Sequence, residues 1–344
     1  GSAGANDLLG HVAVWEWDTS SDDWARLGGD VVLDDQVAGS PYPESSDSSC
    51  GISVAMSDDG ALVAAGCLSH ARIAGAVQVF RWDEAGAAWQ EHGQRLGEAL
   101  NGHMVALSGD GQVLAIGSPL NELDDDAGLG ARGDARVYAW DDGADPAQWV
   151  PRGDPLVGEA AQSLFGKSLA LSADGGTLAV GAPGYVRYAG CQDSSAETSC
   201  KGSVRVVRWE GGEWAPMGDA IVGPHAASHL GESVALSATG DVLAIGSHGV
   251  YAPMSAHAYD LRTREGTGHM EGRVYAWNAG NSAWSLIGDG IDGGDAEGMD
   301  DVSSSMALSA DGTRVAMGAW PFRGYREFEE LSEGVVRVYD AVEV

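Results

Sequence analysis

Four cysteines are the residues whose spacing speaks most directly to chemistry. Cys50 precedes one short apolar run and Cys67 ends the next. Folding a hairpin about residues 58–60 sets the two opposite each other, within disulfide range. Cys191 and Cys200 bracket the polar stretch CQDSSAETSC and suit a second local bridge. An even count with local partners points to an oxidising compartment, and the lack of CxxC spacing argues against zinc.

Carboxylates gather in two stretches. Asn121, Glu122, Asp124, Asp125 and Asp126 form one, and Asp292, Asp295, Glu297, Asp300 and Asp301 the other. Oxygen-rich loops of this kind hold calcium, and Asp124, Asp125 and Asp126 are the metal candidates; calcium is the one cofactor such loops would suit. The competing reading is solvated charge in an acidic chain. His225 and His229 lie four apart in HAASH, a spacing that favours metal on a helix, but here in a connection between strands. RGD occurs at residues 132–134 and 152–154. The second fills a recurring WxxxG position, while the first ends a loop and is the copy to expect exposed. No Ser/His/Asp spacing singles out a triad, and the many glycines are explained by turns rather than by phosphate cradles. The chain is therefore expected not to be an enzyme. Tyr185, Tyr188, Tyr251, Trp320 and Tyr325 stand in long connections, where aromatic side chains would serve glycan stacking or protein anchoring.

Charge narrows the partners. The 344 residues carry 51 acidic and 19 basic side chains, a formal net charge of -32. That field repels nucleic acid and anionic membrane surfaces, and fits solubility in a salty or extracellular medium. No run of about 18 apolar residues is present to span a bilayer. Residues 1–9 are small and polar and read as a tail ahead of one domain over 10–344.

The elements that position these residues come from a repeat. SVAMSDDGALVAAG (53–66), MVALSGDGQVLAIG (104–117), SLALSADGGTLAVG (168–181), SVALSATGDVLAIG (233–246) and SMALSADGTRVAMG (305–318) are one unit written five times. Each reads as two short strands, A and B, about a DG-type turn. A second unit recurs six times, as GHVAVWEWD (10–18), GAVQVFRWD (75–83), ARVYAWD (135–141), GSVRVVRWE (202–210), GRVYAWN (272–278) and GVVRVYD (334–340). It reads as a strand C. Trp24, Trp89, Trp149, Trp214 and Trp284 follow five of these and mark a strand D. Paired tryptophans flanking the C–D turn should face each other across strands and form core between blades.

Four antiparallel strands per repeat, with no helical pattern, predict an all-β chain, a five-bladed β-propeller of four-stranded blades. The blades start near residues 53, 104, 168, 233 and 305. The strands of 10–29 would close the ring by completing the last blade, which leaves one C strand spare: displaced, paired with a neighbouring molecule, or marking an excision from a longer array. Connections B–C and D–A vary in length and emerge on one face, which makes that face the one expected to recognise a ligand.

Read together, these units resemble the FG-GAP repeat proteins, the integrin-α-like propellers, and are similar to long secreted tandem-repeat proteins of bacteria and marine algae. LFGKS (164–168) and HLGES (229–233) carry the FG half; GAP (181–183), GSP (117–119) and GAW (318–320) carry the other. The resemblance implies an extracellular structural or adhesive module that assembles with matrix proteins or with itself. A lectin-like or calcium-dependent glycan binder is the alternative. The family's DxDxDGxxD calcium loop occurs in no repeat here, so its metal sites do not carry over.

Overall fold

In the computed structural model, residues 11–31, 48–69, 75–96, 104–121, 132–160, 163–184, 201–224, 228–247, 271–292, 300–321 and 335–340 are described, and among them every regular element is a strand. An N-terminal hairpin is formed by β1 (Trp15–Asp18) and β2 (Asp23–Arg26). Blade 1 follows with β3 (Ser48–Met56), β4 (Leu62–Ser69), β5 (Ala76–Asp83) and β6 (Ala88–Glu91). Blade 2 has β7 (Met104–Leu107), β8 (Val113–Ser118), β9 (Asp134–Asp141), β10 (Gln148–Pro151) and the short β11 (Leu156–Val157). Blade 3 repeats this with β12 (Ser168–Leu171), β13 (Thr177–Ala182), β14 (Ser203–Glu210), β15 (Glu213–Pro216) and β16 (Ile221–Val222). Blade 4 is β17 (Leu230–Leu236), β18 (Val242–Ser247), β19 (Glu271–Asn278) and β20 (Ala283–Asp292). Blade 5 is β21 (Asp300–Leu308), β22 (Arg314–Pro321) and β23 (Val335–Asp340). Each sheet is an antiparallel meander in chain order, so the five blades of a β-propeller are those expected from the repeat.

The recurring SxDG turn makes four of the five A–B hairpins, and in blade 4 SATGD takes its place, with Ser237 Oγ donating to Asp241 Oδ1 and accepting the Val242 N–H. Ser108 Oγ donates to Asp110 Oδ1 at 2.6 Å and accepts the Val113 N–H, while the same Asp110 oxygen accepts the Gln112 N–H. Ser57, Ser172 and Ser309 repeat the arrangement. A backbone bond then ties neighbouring turns together: Asp58 N–H to Gly109 O, Asp110 to Ala173, Ala173 to Ala238 and Ala238 to Ala310. The buried serines that close the A strands are thereby all accounted for as structure.

Packing between blades uses two rows. The face of blade 1 toward blade 2 presents Leu62, Ala64, Val77 and Val79, and blade 2 answers with Val105, Leu107, Leu114, Ile116 and Trp149. Blades 2 and 3, 3 and 4, and 4 and 5 repeat this pattern. Full burial of one such side chain is worth about 1.5–3 kcal/mol, so these junctions hold the fold. The first three are each pinned by an indole: Trp149 Nε1–H donates to His92 O, Trp214 to Arg152 O and Trp284 to Met217 O. The FG and GAP glycines meet at the same junctions. A side chain on Gly117 would run into the Gly166 carbonyl, and one on Gly181 into that of Gly231.

Two expectations change. β2 is not found on the last blade: among the described residues it pairs with β1 alone, and β23, in the C position of blade 5, pairs with β22 alone. The hairpin instead acts as the C–D half of a blade preceding blade 1, with Val12 and Val31 packed on Ala65, Phe80 and Trp89 and with Leu27 O accepting the Trp89 indole N–H. In addition, blades 2 and 3 gain a fifth short strand, and blade 5 has three described strands rather than four.

Candidate functional site

The cysteines come first. Cys50 lies directly opposite Cys67 in the β3–β4 register. A bulge between Cys50 and Ser53, at Gly51 with φ of 81°, produces that register. Cys67 is buried and disulfide-bonded, and no described cysteine is free. Cys191 and Cys200 lie outside the described residues, as do Asp124, Asp125, Asp126, Tyr185, Tyr188, Tyr251 and Tyr325. Trp320 is in β22, opposite Asp301 of β21. Among the described residues no group of three or more His, Cys, Asp or Glu is placed to hold a metal ion.

His229 is a packing residue. It sits buried at the FG position with a φ of 48°, and its Nδ1 lies 3.0 Å from Pro183 O and 3.2 Å from Gly184 O, so it fastens one FG turn to the preceding GAP segment. The first RGD tripeptide is not displayed, whereas Gly153 and Asp154 of the second are exposed. Asp134, in the copy expected to be exposed, is fully buried and accepts from Arg136 Nε at 3.1 Å and from Asn121 Nδ2. That pairing neutralises its charge inside the B–C side of blade 2. Arg152 of the second copy lies over the Trp209 and Trp214 rings at 4.9 and 5.6 Å, a cation–π contact across a junction.

The residues with unspent interaction capacity are ones the sequence reading assigned to core. The C–D tryptophan pairs form as expected, with ring centroids 5.2–5.5 Å apart. Their surroundings differ. Trp149 is 2% exposed and most others are half-buried, whereas Trp24 is 59% exposed and Trp15 and Trp17 are likewise open. Val336 and Val338 on β23 are 73% and 64% exposed, and Ile52, Val54 and Met56 on β3 are also open. These positions belong to the first and last copies of the repeat, which is the only trace of their exposure in the sequence.

Electrostatics are local to the turns. The Ser172 hydroxyl and Gly176 N–H hold Asp174 below the usual carboxylate range, Ser57 does the same for Asp59, and Thr239 for Asp241. Ser309 and Thr313 bring Asp311 to about 2. Burial lowers the basicity of His92, which stacks on Trp140 with centroids 3.8 Å apart.

No protein-family model matches the chain, and no curated protein does. Solved structures do resemble it. The periplasmic gluconolactonase PpgL of Pseudomonas aeruginosa aligns over 90% of this chain and 72% of its own at 14% identity, with a TM-score of 0.52. Hydrazine synthase of Kuenenia stuttgartiensis aligns over 89% of this chain and 69% of its own at 13% identity, with a TM-score of 0.50. The β-propeller domain of the Trilobed protease from Pyrococcus furiosus, described as having an open velcro topology, aligns over 85% and 69% at 13% identity, with a TM-score of 0.43. At these identities the likeness is one of fold. It corrects the expectation that the chain is not an enzyme: the architecture is shared with enzymes, so it gives no ground for excluding catalysis, and it assigns no reaction.

Proposed function

We propose that the chain is an extracellular FG-GAP-type propeller that serves as a structural or adhesive module, binding other proteins through apolar faces of its blades. The observation that carries this reading is the exposure of five large apolar side chains in the N-terminal hairpin and the first strand of blade 1: Trp15, Trp17, Trp24, Val54 and Met56. Soluble proteins scatter such side chains singly, and their grouping marks contact surfaces. The propeller fold is a general scaffold for protein interaction. A net charge of -32 and a disulfide-bonded Cys67 favour an oxidising, extracellular setting. Within it we assign the partner of Cys67 as Cys50, its cross-strand neighbour; peptide mapping without reductant should recover the two in one linked fragment.

Beads coated with the chain test the function on cells of its source. Binding that disappears when surface proteins are shaved by protease is the expected result. Binding that survives shaving and falls to glycosidase or to calcium chelation transfers the site to the long-loop face and to a glycan. Absence of binding overturns the proposal.

A further inference from the structure

One short segment recurs where a sheet meets the next, and one copy of it holds a titratable ring. Leu27, His92, Arg152 and Met217 each stand three residues after the second tryptophan of their repeat, and each is followed by a glycine with positive φ. The carbonyl of each accepts an indole N–H from the following blade. The glycine lies so close to that blade that a side chain on it would strike Trp82, Trp140, Trp209 or Trp277. The segment is a clasp, alike at these four seams except for one side chain.

Between blades 1 and 2 that side chain is an imidazole. The His92 ring stacks on Trp140 with centroids 3.8 Å apart and an interplanar angle of 26°, and it meets Trp149 edge-on at 6.2 Å. Gln94 completes the clasp: its Nε2–H donates to Trp149 O at 2.6 Å, and its Oε1 accepts the Trp149 N–H at 2.9 Å. The next clasp shows what a cation needs in this slot. Arg152 lies over Trp209 and Trp214 with the Asp174 and Asp110 carboxylates drawing on it. For His92 the one charge that acts among the described residues is the Arg81 guanidinium of β5, and it repels. Glu91 and Arg95 on its own segment, Asp141 of β9 and the turn carboxylates Asp59 and Asp110 add nothing to it.

We propose that protonation of His92 opens this clasp, so that the outer edge of the seam between blades 1 and 2 is acid-sensitive while its counterparts are not. A charged imidazole is held there between apolar rings and beside a like charge, whereas in the open segment it is hydrated. Burial first, and Arg81 second, hold its proton affinity below the ordinary 6.5. The clasp is therefore at full strength above 6.5 and weakens as pH falls from there through the lowered value. The inner rows, Leu62, Ala64, Val77 and Val79 against Leu114 and Ile116, are apolar, so the seam stays joined and only its edge lifts.

Amide exchange of the full chain, followed by NMR at pH 7.5 and 5.5 and corrected for the intrinsic effect of pH, tests this. Salt at about 0.15 M screens the distant carboxylates of this acidic chain beyond about 8 Å. The His92 N–H, bonded to Val79 O, and the Trp149 N–H should lose protection on acidification, by up to about tenfold per pH unit, the ceiling for one linked proton. The Arg152 and Met217 N–H groups, bonded to Val137 O and Val206 O at the same place in the next two clasps, should keep theirs. His92→Met copies the clasp between blades 3 and 4 and should abolish the response. His92→Phe keeps a flat ring for Trp140, should do the same, and serves where the first variant fails to fold. The imidazole itself should titrate below 6.5 in the wild-type spectra. Titration at or above that value overturns the inference. So do unchanged protection at His92, equal losses at all three clasps, and a response that survives both substitutions.

Discussion

Val79 and Val338 occupy the same place in the same repeat, and one is 1% exposed while the other is 64% exposed. Trp149 and Trp24 form the same contrast on the opposite side of the blade, one bonded to His92 O and the other open. The difference lies in neighbours and not in local structure, since strands are formed at both ends as in the middle and the N-terminal hairpin keeps its tryptophan pair. Secondary structure in this protein is set within a repeat, and burial is set between repeats.

That separation can be broken by mutation. The largest effect should come from the inner rows: Leu114→Ala or Leu243→Ala empties a fully buried site and should cost about 2–5 kcal/mol in urea denaturation. Val54→Ala or Val338→Ala, measured at high dilution, should stay within about 0.5 kcal/mol. Equal losses at inner and end positions would mean that the ends are covered in solution. Gly117→Ala should follow at about 1–3 kcal/mol, because the new methyl group meets the Gly166 backbone, which cannot swing aside as a flexible side chain could. Next, Trp149→Phe leaves the His92 carbonyl without its donor and should cost about 1 kcal/mol beyond the packing change, while Trp24→Phe should leave the denaturation midpoint where it was.

Much of this was legible in the residues, and the reasons are local. Ser-x-Asp-Gly in four turns and Ser-x-Thr-Gly-Asp in the other supply their own hydrogen bonds within five residues, so the five hairpins could be read one by one. The opposition of Cys50 and Cys67 could be read as well, although the bulge at Gly51 that creates it could not, since a bulge is a choice of register made by both strands. The fate of the tryptophans was hidden: Trp17 and Trp24 sit in the same motif as Trp140 and Trp149, and only the presence of a neighbouring sheet distinguishes them. The RGD at residues 132–134 misled for a related reason. Its Asp134 is claimed by Arg136 and Asn121, partners whose role appears only when β8 and β9 are paired.

The smallest expected effect concerns pH and should ignore the contrast between inner and end blades. Asp59, Asp174, Asp241 and Asp311 are all held below the ordinary value of 3.8, Asp311 to about 2. Their contribution is present above the unfolded value and is lost as pH falls through the lowered folded one. This contribution should therefore hold down to about pH 4 and decline below it. Asp174→Asn in an inner blade and Asp311→Asn in the last should each flatten that decline, to a similar degree. A response confined to the inner blade would contradict the independence of turns from neighbours.

The turn-to-turn bonds from Asp58 through Ala310 join each of the five blades to the next through backbone N–H and carbonyl groups alone, the donor being shifted by one residue at Asp110. No side chain takes part in these particular bonds. Gene duplication or in-frame loss of a whole repeat would then lengthen or shorten the row without redesigning those bonds, and the number of blades would be inherited as a copy number.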